Sequence, residues 1–114
     1  MTQEDILKLF PLDSYVRLTR LAPLHKPDRS GRSVTTGQWV EGPFAIWNLF
    51  TGFPPSIFVA GMRTSPVKSY RFPTNEDRTT YPSAFSSGLP SFIATTENSL
   101  YLVQAVDPKR SGEA

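Results

Sequence analysis

The sequence predicts a mainly β protein, a small SH3-like half-open barrel of five to six strands with a short N-terminal helix. Eleven prolines and seven glycines in 114 residues interrupt the chain too often for helices of ordinary length. Between the interruptions, several segments alternate apolar and polar residues, as strands buried on one face do. Short strands joined by turns are typical of small barrels, and an OB-like barrel is the alternative architecture.

The one predicted helix is at the N-terminus. Thr2 is a suitable capping residue, Asp5 would occupy the third helical position, and Pro11 ends the helix. Apolar residues between positions 6 and 10 supply a buried surface. Two helical turns are unstable alone, so this helix must pack on the body of the protein.

Seven strand-forming segments follow, or six if the second and third form one bent strand. They lie at 14–21, at 36–42 and 43–50 (split by Gly42-Pro43 and able to form one bent strand), at 56–62, at 65–72, and in a closing pair at 92–96 and 99–105. The apolar run at 56–62 predicts a strand buried on both faces. Glu97-Asn98 is a fair two-residue hairpin connection, because Asn tolerates a positive φ. The predicted core residues are Val16, Leu18, Ile57, Val59, Val67, Ile93, Leu100 and Leu102.

The chain is expected to form one domain over residues 1–106, followed by a polar C-terminal tail at 107–114. Residues 73–91 are rich in Ser, Thr and Pro and show no periodicity, which predicts a mobile arm or docking loop outside the barrel wall. Within this segment Tyr81, Phe85 and Leu89 recur every four residues. Such spacing would allow an amphipathic turn to form on a partner.

Composition excludes several classes of protein. The absence of cysteine excludes a disulfide framework, a thiol nucleophile and thiolate metal sites. The first residues are acidic where a signal peptide is basic, and no apolar run reaches the length of a membrane span. We therefore expect a soluble cytoplasmic protein, or a virion-associated one if it is phage-encoded.

The basic excess of the chain is concentrated in residues 14–35. This stretch holds five cations against Asp28, a net charge of +4, whereas the whole chain carries +2. The five are Arg17, Arg20, Lys26, Arg29 and Arg32. A solvated face, a site for an acidic protein and a nucleic-acid site are all compatible with such a set. Strand alternation predicts that Arg17 and Thr19 share one face, opposite to Val16 and Leu18.

Aromatic residues are the second candidate binding feature. Trp39, Tyr70, Tyr81 and Phe85 are candidate partner-binding residues, for a peptide groove or a base-stacking platform. In a domain this small, however, most large rings are core residues. We expect both tryptophans in the core, with Trp39 the better surface candidate because polar residues surround it, whereas Trp47 sits in an apolar run.

No catalytic or metal site is predicted. His25 is the only histidine and has no neighbouring ligands or catalytic partners in the sequence. Glu76-Asp77 lies on a polar segment where both carboxylates are expected to be solvated. The Ser30–Gly37 region lacks the glycine spacing and the following Lys-Ser/Thr of a phosphate loop.

Three segments resemble a pattern found in small uncharacterised β-barrel proteins of bacteria and their phages. They are GQWVEG at 37–42, TSPV at 64–67 and TENSLYL at 96–102, which match GxWVEG, TSPV and TxNSxYxL in that order. The resemblance implies a compact β-barrel and a phage or mobile-element origin, and it implies no activity. The segment at 73–91 is longer than in those proteins.

The predicted function is therefore non-enzymatic: a protein-binding, assembly or accessory module that recognises a protein partner or a second copy of itself. The alternative is a small nucleic-acid-binding barrel that uses the basic Arg/Lys loop, with bases stacking on Trp39 or Tyr70. No nucleophile, base and orienting group can be combined from these residues, so no enzyme activity, cofactor or small-molecule substrate is predicted. No membrane partner is predicted either.

Overall fold

The computed structural model describes residues 2–23, 38–48, 52–85 and 89–106. Within these ranges the helices are α1 (Gln3–Leu9) and α2 (Asn75–Thr80), and the strands are β1 (Tyr15–Pro23), β2 (Trp39–Pro43), β3 (Ala45–Trp47), β4 (Ser56–Val59), β5 (Met62–Arg63), β6 (Val67–Arg71), β7 (Ser91–Thr96) and β8 (Ser99–Ala105). The mainly β class and the short N-terminal helix are confirmed. The described part of the chain contains eight strands, more than the five or six predicted.

The strands form two antiparallel sheets. The large sheet has the order β2-β1-β8-β7-β6, and the small sheet has the order β3-β4-β5. The main core lies between the two sheets and α1. The described strands do not close into a barrel, so neither the SH3-like half-open barrel nor the OB-like alternative is confirmed.

The chain passes from the large sheet to the small one at Phe44. The Phe44 N–H donates to the Ser14 carbonyl at 2.7 Å, and the Phe44 carbonyl accepts from the Asp13 N–H at 2.8 Å. The Phe44 side chain is fully buried. Pro43 has no N–H to continue the ladder. The single bent strand that was considered for residues 36–50 is therefore two strands in different sheets.

The apolar run at 56–62 is a hairpin rather than one strand. Ala60 and Gly61 have φ values of 52° and 82°, and they connect Val59 to its cross-strand partner Met62. Positive φ at both central residues is typical of a type I′ turn. This turn packs directly on β2, because a Cβ added to Gly42 would lie 3.2 Å from the Ala60 Cβ.

Helix α1 begins with the predicted cap. The Asp5 N–H donates to Thr2 Oγ1 at 3.2 Å, and the Thr2 N–H donates to an Asp5 carboxylate oxygen at 2.9 Å. The hydrogen bond from the Thr2 backbone lowers the pKa of Asp5. Ile6 and Phe10 are buried against the sheets. Neither helix of the described residues has the length and apolarity needed to cross a membrane.

Phe92 lies at the centre of the main core. Its ring makes edge-to-face contacts with the rings of Phe10, Phe44 and Tyr70, at centroid distances of 4.9, 6.1 and 5.8 Å. These three partners come from the end of α1, from the crossing between the sheets and from β6. One side chain of β7 therefore joins four separate parts of the chain.

The large sheet is covered on both faces. On its outer face, away from the small sheet, Phe85 packs on Leu21, Ile93 and Leu102 and forms a second core. Seven of the eight predicted core residues are at most 9% exposed and Leu100 is half-buried, so that prediction is confirmed for seven. They divide, however, between the two cores, since Ile93 and Leu102 belong to the second core and the other five to the main core.

The second core is built by the segment that the sequence left without structure. Residues 75–80 form α2, and residues 81–85 cross the outer face of the large sheet as far as the buried Phe85. The prediction that 73–91 has no regular structure is wrong for residues 75–80, which are helical, and for Ser91, which begins β7. The polar composition hid a capped helix, because its only buried residue is Asp77.

Two of the three motif segments meet in a buried hydrogen-bond network. Ser65 Oγ donates to Thr96 Oγ1 at 2.7 Å, and Thr96 Oγ1 donates to the Ser99 carbonyl at 2.9 Å and accepts from the Ser99 N–H at 3.1 Å. The Asn98 N–H donates to Ser65 Oγ at 3.3 Å. The network ties the β7–β8 hairpin, whose Glu97-Asn98 connection is confirmed, to the approach to β6.

We predict that Phe92→Ala lowers the free energy of unfolding by about 3–5 kcal/mol, since it removes a buried ring and its three ring contacts. Phe72→Ala is the control, because Phe72 is 57% exposed and its loss should cost less than about 1 kcal/mol. Urea unfolding of both variants measures the difference. Equal losses would contradict the central position of Phe92.

We predict that Thr96→Val lowers the free energy of unfolding by about 1–3 kcal/mol, because it leaves the half-buried Ser65 hydroxyl and the buried backbone groups of Ser99 without their hydroxyl partner. Thr95→Val is the matched control, since Thr95 projects from the opposite face of the same strand and should cost less than about 0.5 kcal/mol. Thermal unfolding midpoints compare the two. A larger effect at Thr95 would show that the network contributes little.

Candidate binding groove

A groove crosses the outer face of the large sheet beside the second core. Its volume is about 310 Å³, at the lower end of the range for ligand pockets. It is lined by Arg17, Thr19, Arg20, Leu21, Trp39, Thr80, Tyr81, Pro82, Ser83, Ala84 and Gln104, and we call it the Trp39–Tyr81 groove. The groove combines three elements of the sheet with the segment that follows α2.

Strand alternation positions the floor. Arg17 pairs with Gln104 and Thr19 with Leu102 across β1 and β8. Thr19 and Gln104 are 4% and 1% exposed and share the outer face, whereas Val16 and Leu18 on the other face are fully buried in the main core. The predicted division of β1 into two faces is therefore confirmed, and its polar face forms the floor of the groove.

The wall on β2 is built around Trp39. Its side chain is 50% exposed, and the Arg17 guanidinium carbon lies 4.4 Å from the centre of the indole ring. Glu41, directly opposite Arg17 on β2, accepts from Arg17 Nε at 2.9 Å and pairs with Nη2 at 2.9 Å through the same carboxylate oxygen. Arg17 is therefore held between an acid and a ring, and it in turn limits the positions of Trp39.

The other wall is residues 80–84, positioned by α2. The Asp77 carboxylate accepts from the Thr74 N–H at 2.7 Å and forms a forked ion pair with Arg71, at 2.6 and 3.0 Å. The Tyr81 N–H donates to the Asp77 carbonyl at 2.9 Å, and the Ala84 N–H donates to the Tyr81 carbonyl at 3.1 Å. These bonds hold Tyr81 over the sheet.

Two buried side chains have shifted pKa values: the pKa of Asp77 is lowered and that of Tyr70 is raised. The hydrogen-bonded Arg71 guanidinium lowers the pKa of Asp77 to about 2 and keeps it ionised. Asp77 is therefore not the solvated carboxylate that was expected, because it caps α2 and pairs with β6. Burial raises the pKa of the Tyr70 hydroxyl to about 12, and this hydroxyl has no hydrogen-bond partner within the described residues.

The structure brings together four of the nine residues singled out from the sequence: Arg17, Arg20, Trp39 and Tyr81 line the groove. Arg20 is 5% exposed and pairs with Tyr101 of the main core, so strand alternation turns its side chain away from the face of Arg17 and Thr19 and it does not belong to an open basic face. Phe85 is buried below the adjacent wall, and Tyr70 belongs to the main core. Lys26, Arg29 and Arg32 lie outside the described residues.

Both tryptophans are surface residues, so the expectation that they belong to the core is wrong. Trp47, on β3, is 53% exposed, and the Arg63 guanidinium carbon lies 5.4 Å from its ring centre. It repeats the Arg-over-Trp arrangement of Trp39 on a different sheet and outside the groove. The apolar run around Trp47 suggested burial, but β3 has only one face against the core, and Ile46 occupies it.

Sequence reasoning missed the residues that hold the groove in place. Gln104 was not considered, although it is a polar residue within an apolar strand segment, and Thr19 was placed on the face of Arg17 without being singled out as a site residue. Arg71 and Asp77 were missed as a pair. The signal available for α2 was Thr74 followed three residues later by Asp77, the spacing of a capping box.

The lining supplies rings, hydrogen-bond donors and groups that can both donate and accept, such as Thr19, Ser83 and Gln104. Its described residues include no carboxylate, histidine or cysteine. Across residues 2–23, 38–48, 52–85 and 89–106, no group of three or more His, Cys, Asp or Glu side chains could hold a metal ion. The arrangement is suited to holding a ligand by stacking and hydrogen bonding.

Comparisons with known proteins identified no relative. No protein-family model matches the chain, no curated protein matches it, and no solved structure matches it. Inference about function therefore depends on the groove itself.

We predict that Asp77→Asn lowers stability at neutral pH by about 1 kcal/mol, a figure that allows for solvent screening of the partly exposed Arg71. Because the folded-state pKa of Asp77 is depressed, its contribution is complete above the ordinary carboxyl pKa near 4 and is lost as the pH falls toward 2. The wild type should therefore lose stability between pH 4 and 2 more steeply than the variant. Urea unfolding at several pH values tests this.

Glu76→Gln is the control for Asp77→Asn, because Glu76 is exposed and makes no contact with Arg71 among the bonds of the described residues. Its profile should follow the wild type. If both variants flatten the acid profile equally, the Arg71–Asp77 pair is not the cause.

Proposed function

We propose that the protein is a non-enzymatic binding module, an accessory or assembly component that holds an exposed segment of a partner protein in the Trp39–Tyr81 groove. The observation that supports it best is the meeting of Arg17, Trp39 and Tyr81 in one concave surface. Tryptophan, tyrosine and arginine are the residue types that carry most binding energy at protein interfaces.

The preorganisation of the groove also supports this function. Arg17 is fixed by Glu41 and by the ring of Trp39, and Tyr81 is held by a backbone bond to Asp77 and by the packing of its side chain against the second core. Side chains that are already ordered lose less conformational entropy when a partner binds. The floor adds buried polar side chains, Thr19 and Gln104, which would give direction to hydrogen bonds.

We further propose that the two sheets are the halves of an opened SH3-like barrel and that the protein is phage-encoded. The passage of the chain between sheets at Phe44 supports the first point, since strands that change sheet through a bend form the corners of orthogonal sheet packings. The three motif segments support the second. A phage component of this kind would act in the host cytoplasm or in the virion.

The second candidate function is nucleic-acid binding. An arginine lies over each exposed tryptophan ring, an arrangement that also suits base stacking beside a phosphate backbone. Two residues invoked for this function are less suitable than expected, because Arg17 is neutralised by Glu41 and Tyr70 is buried. Binding to single-stranded oligonucleotides would weaken steeply with salt, which a groove for a protein segment would not require.

We predict that Trp39→Ala weakens partner binding about tenfold or more, because it removes the exposed ring of the groove wall. Peptides selected from a random display library on the full wild-type chain serve as probes, and their affinities for the variants are then measured. Trp47→Ala is the matched control, since Trp47 is also about half exposed and also has an arginine over its ring, at 5.4 Å, but lies outside the groove. It should change affinity less than about twofold.

Both variants should keep thermal midpoints close to the wild type, since both side chains are half-exposed. Failure to select any peptide that depends on Trp39 would contradict the proposed function. Selected peptides that depend on Trp47 instead would move the site to the small sheet.

A further inference from the structure

Among the described residues, four strands lie at sheet edges, and β2 is the one that an added strand can join. The others are β6 in the large sheet and β3 and β5 in the small sheet, and the last two have only three and two residues. Strand β6 begins at a Val67 N–H that already donates to the Pro55 carbonyl, shifts register between Val67 and Ser69, and carries the exposed Lys68. A bulge and a lysine protect an edge from added strands. Strand β2, in contrast, pairs with β1 over its whole length without a register shift.

The ladder between β1 and β2 decides which backbone groups of β2 reach the free edge. The Arg20 N–H donates to the Gln38 carbonyl at 3.2 Å, and this pair continues the β1–β2 register. Hydrogen-bonded pairs alternate along an antiparallel ladder, so Val40 also bonds to β1, whereas Trp39 and Glu41 direct their N–H and C=O groups away from it. The sheet order places no strand beside those groups within the described residues. The edge of β2 therefore offers two donors and two acceptors to another strand.

The side chains at this edge also favour the addition of a strand. Glu41 is the only charged residue of β2, and its carboxylate is already paired with Arg17 on β1 at 2.9 Å. Trp39 is 50% exposed and Val40 is half-buried at the rim of the main core, so both keep apolar surface that a strand would cover. Pro43 has no N–H, so it limits the pairing to the residues before it.

A second copy of β2 is complementary to this edge. When two copies pair antiparallel about a two-fold axis at Val40, Trp39 of each copy lies opposite Glu41 of the other, and their outward donors and acceptors meet. Val40 then lies opposite its own counterpart in an apolar cross-strand pair. An axis at Glu41 would instead set two carboxylates opposite each other and Trp39 opposite Pro43, which lacks the N–H. An axis at Trp39 would leave Glu41 without a partner inside β2.

We infer that the protein forms a symmetric dimer in which β2 pairs antiparallel with β2 of a second copy, centred on Val40. Such a contact uses the same surface on both copies and closes on itself. The large sheet continues across the dimer, and the axis is perpendicular to the sheet, so both Trp39–Tyr81 grooves open on the same face. The dimer goes beyond the proposed function and does not depend on what the groove binds.

Trp39→Pro and Trp39→Ala form a matched pair of variants. Both remove the indole ring, but only proline removes the outward N–H, and proline is tolerated at the first residue of an edge strand. Sedimentation of the full chain from about 1 μM to about 1 mM measures association, which should be weak because the interface is small. The dissociation constant of Trp39→Pro should be at least about tenfold higher than that of Trp39→Ala. A wild type that stays monomeric throughout, or equal dissociation constants for the two variants, would overturn the inference.

A disulfide tests the position of the axis, and it does so even where Trp39→Pro fails to fold. The chain has no cysteine. In the inferred dimer Val40 and its counterpart form a non-hydrogen-bonded pair, whose Cα atoms lie about 4.5 Å apart, a distance that a disulfide can span. Val40→Cys should therefore form a covalent dimer under mild oxidation much faster than Trp47→Cys, a half-exposed control on the small sheet. Equal rates for the two variants would contradict the pairing at Val40.

Peptide binding separates this inference from the proposed function and from the other possible occupant of the edge. A monomeric chain whose selected peptides bind far more weakly to Trp39→Pro than to Trp39→Ala would show that β2 takes a strand from a different protein, and it would overturn the dimer. Peptides that depend on the Trp39 side chain, without a dimer, would refute the inference and leave the proposed function intact. A dimer with the expected response to Trp39→Pro, but no such peptides, would do the reverse.

Discussion

Among the described residues, the ring of Phe92 is the contact that joins α1, the crossing between the sheets and β6 in one core. It touches Phe10 at the end of α1, Phe44 at the crossing between the sheets and Tyr70 on β6. No two of these partners are close in sequence. A fully buried aromatic ring with three edge-to-face neighbours contributes both buried area and specific geometry. The small sheet and the N-terminal helix take their positions on the large sheet from this cluster.

The same strand that buries Phe92 inward turns Ile93 outward, and this alternation creates the second core. Phe85 covers Ile93 and Leu102, which brings residues 80–84 over the middle of the sheet. Without that cover the apolar side chains of Leu21, Ile93 and Leu102 would be exposed beside the groove. The ion pair between Arg71 and Asp77 fixes the short capped helix α2. The residues that follow α2 then form one side of the groove over the part of β1 and β2 that the second core does not cover. The polar lining residues on β1 and β8, Arg17, Thr19 and Gln104, are those whose side chains alternate away from the main core.

Local patterns were sufficient for much of the fold. The cap of α1, the two faces of β1 and the Glu97-Asn98 hairpin depend on neighbours within a few residues, so the sequence predicted them. The passage of the chain from the large sheet to the small sheet at Phe44 and the turn at Ala60-Gly61 could not be predicted in the same way. An apolar run is compatible with one buried strand or with a tight hairpin, and only packing against Gly42 and the large sheet separates these possibilities.

For the candidate site, the sequence by itself identified Arg17, Trp39 and Tyr81 as candidate residues, because arginine and aromatic side chains are enriched at binding surfaces. It also determined that Arg17 and Thr19 share a face, because side chains alternate along a strand. Only the tertiary structure decided that residues from β1, β2, β8 and the segment after α2 form one groove, and that Tyr70 and Phe85 are core. The physical reason is that burial and concavity depend on contacts between segments far apart in the chain, which no local pattern encodes.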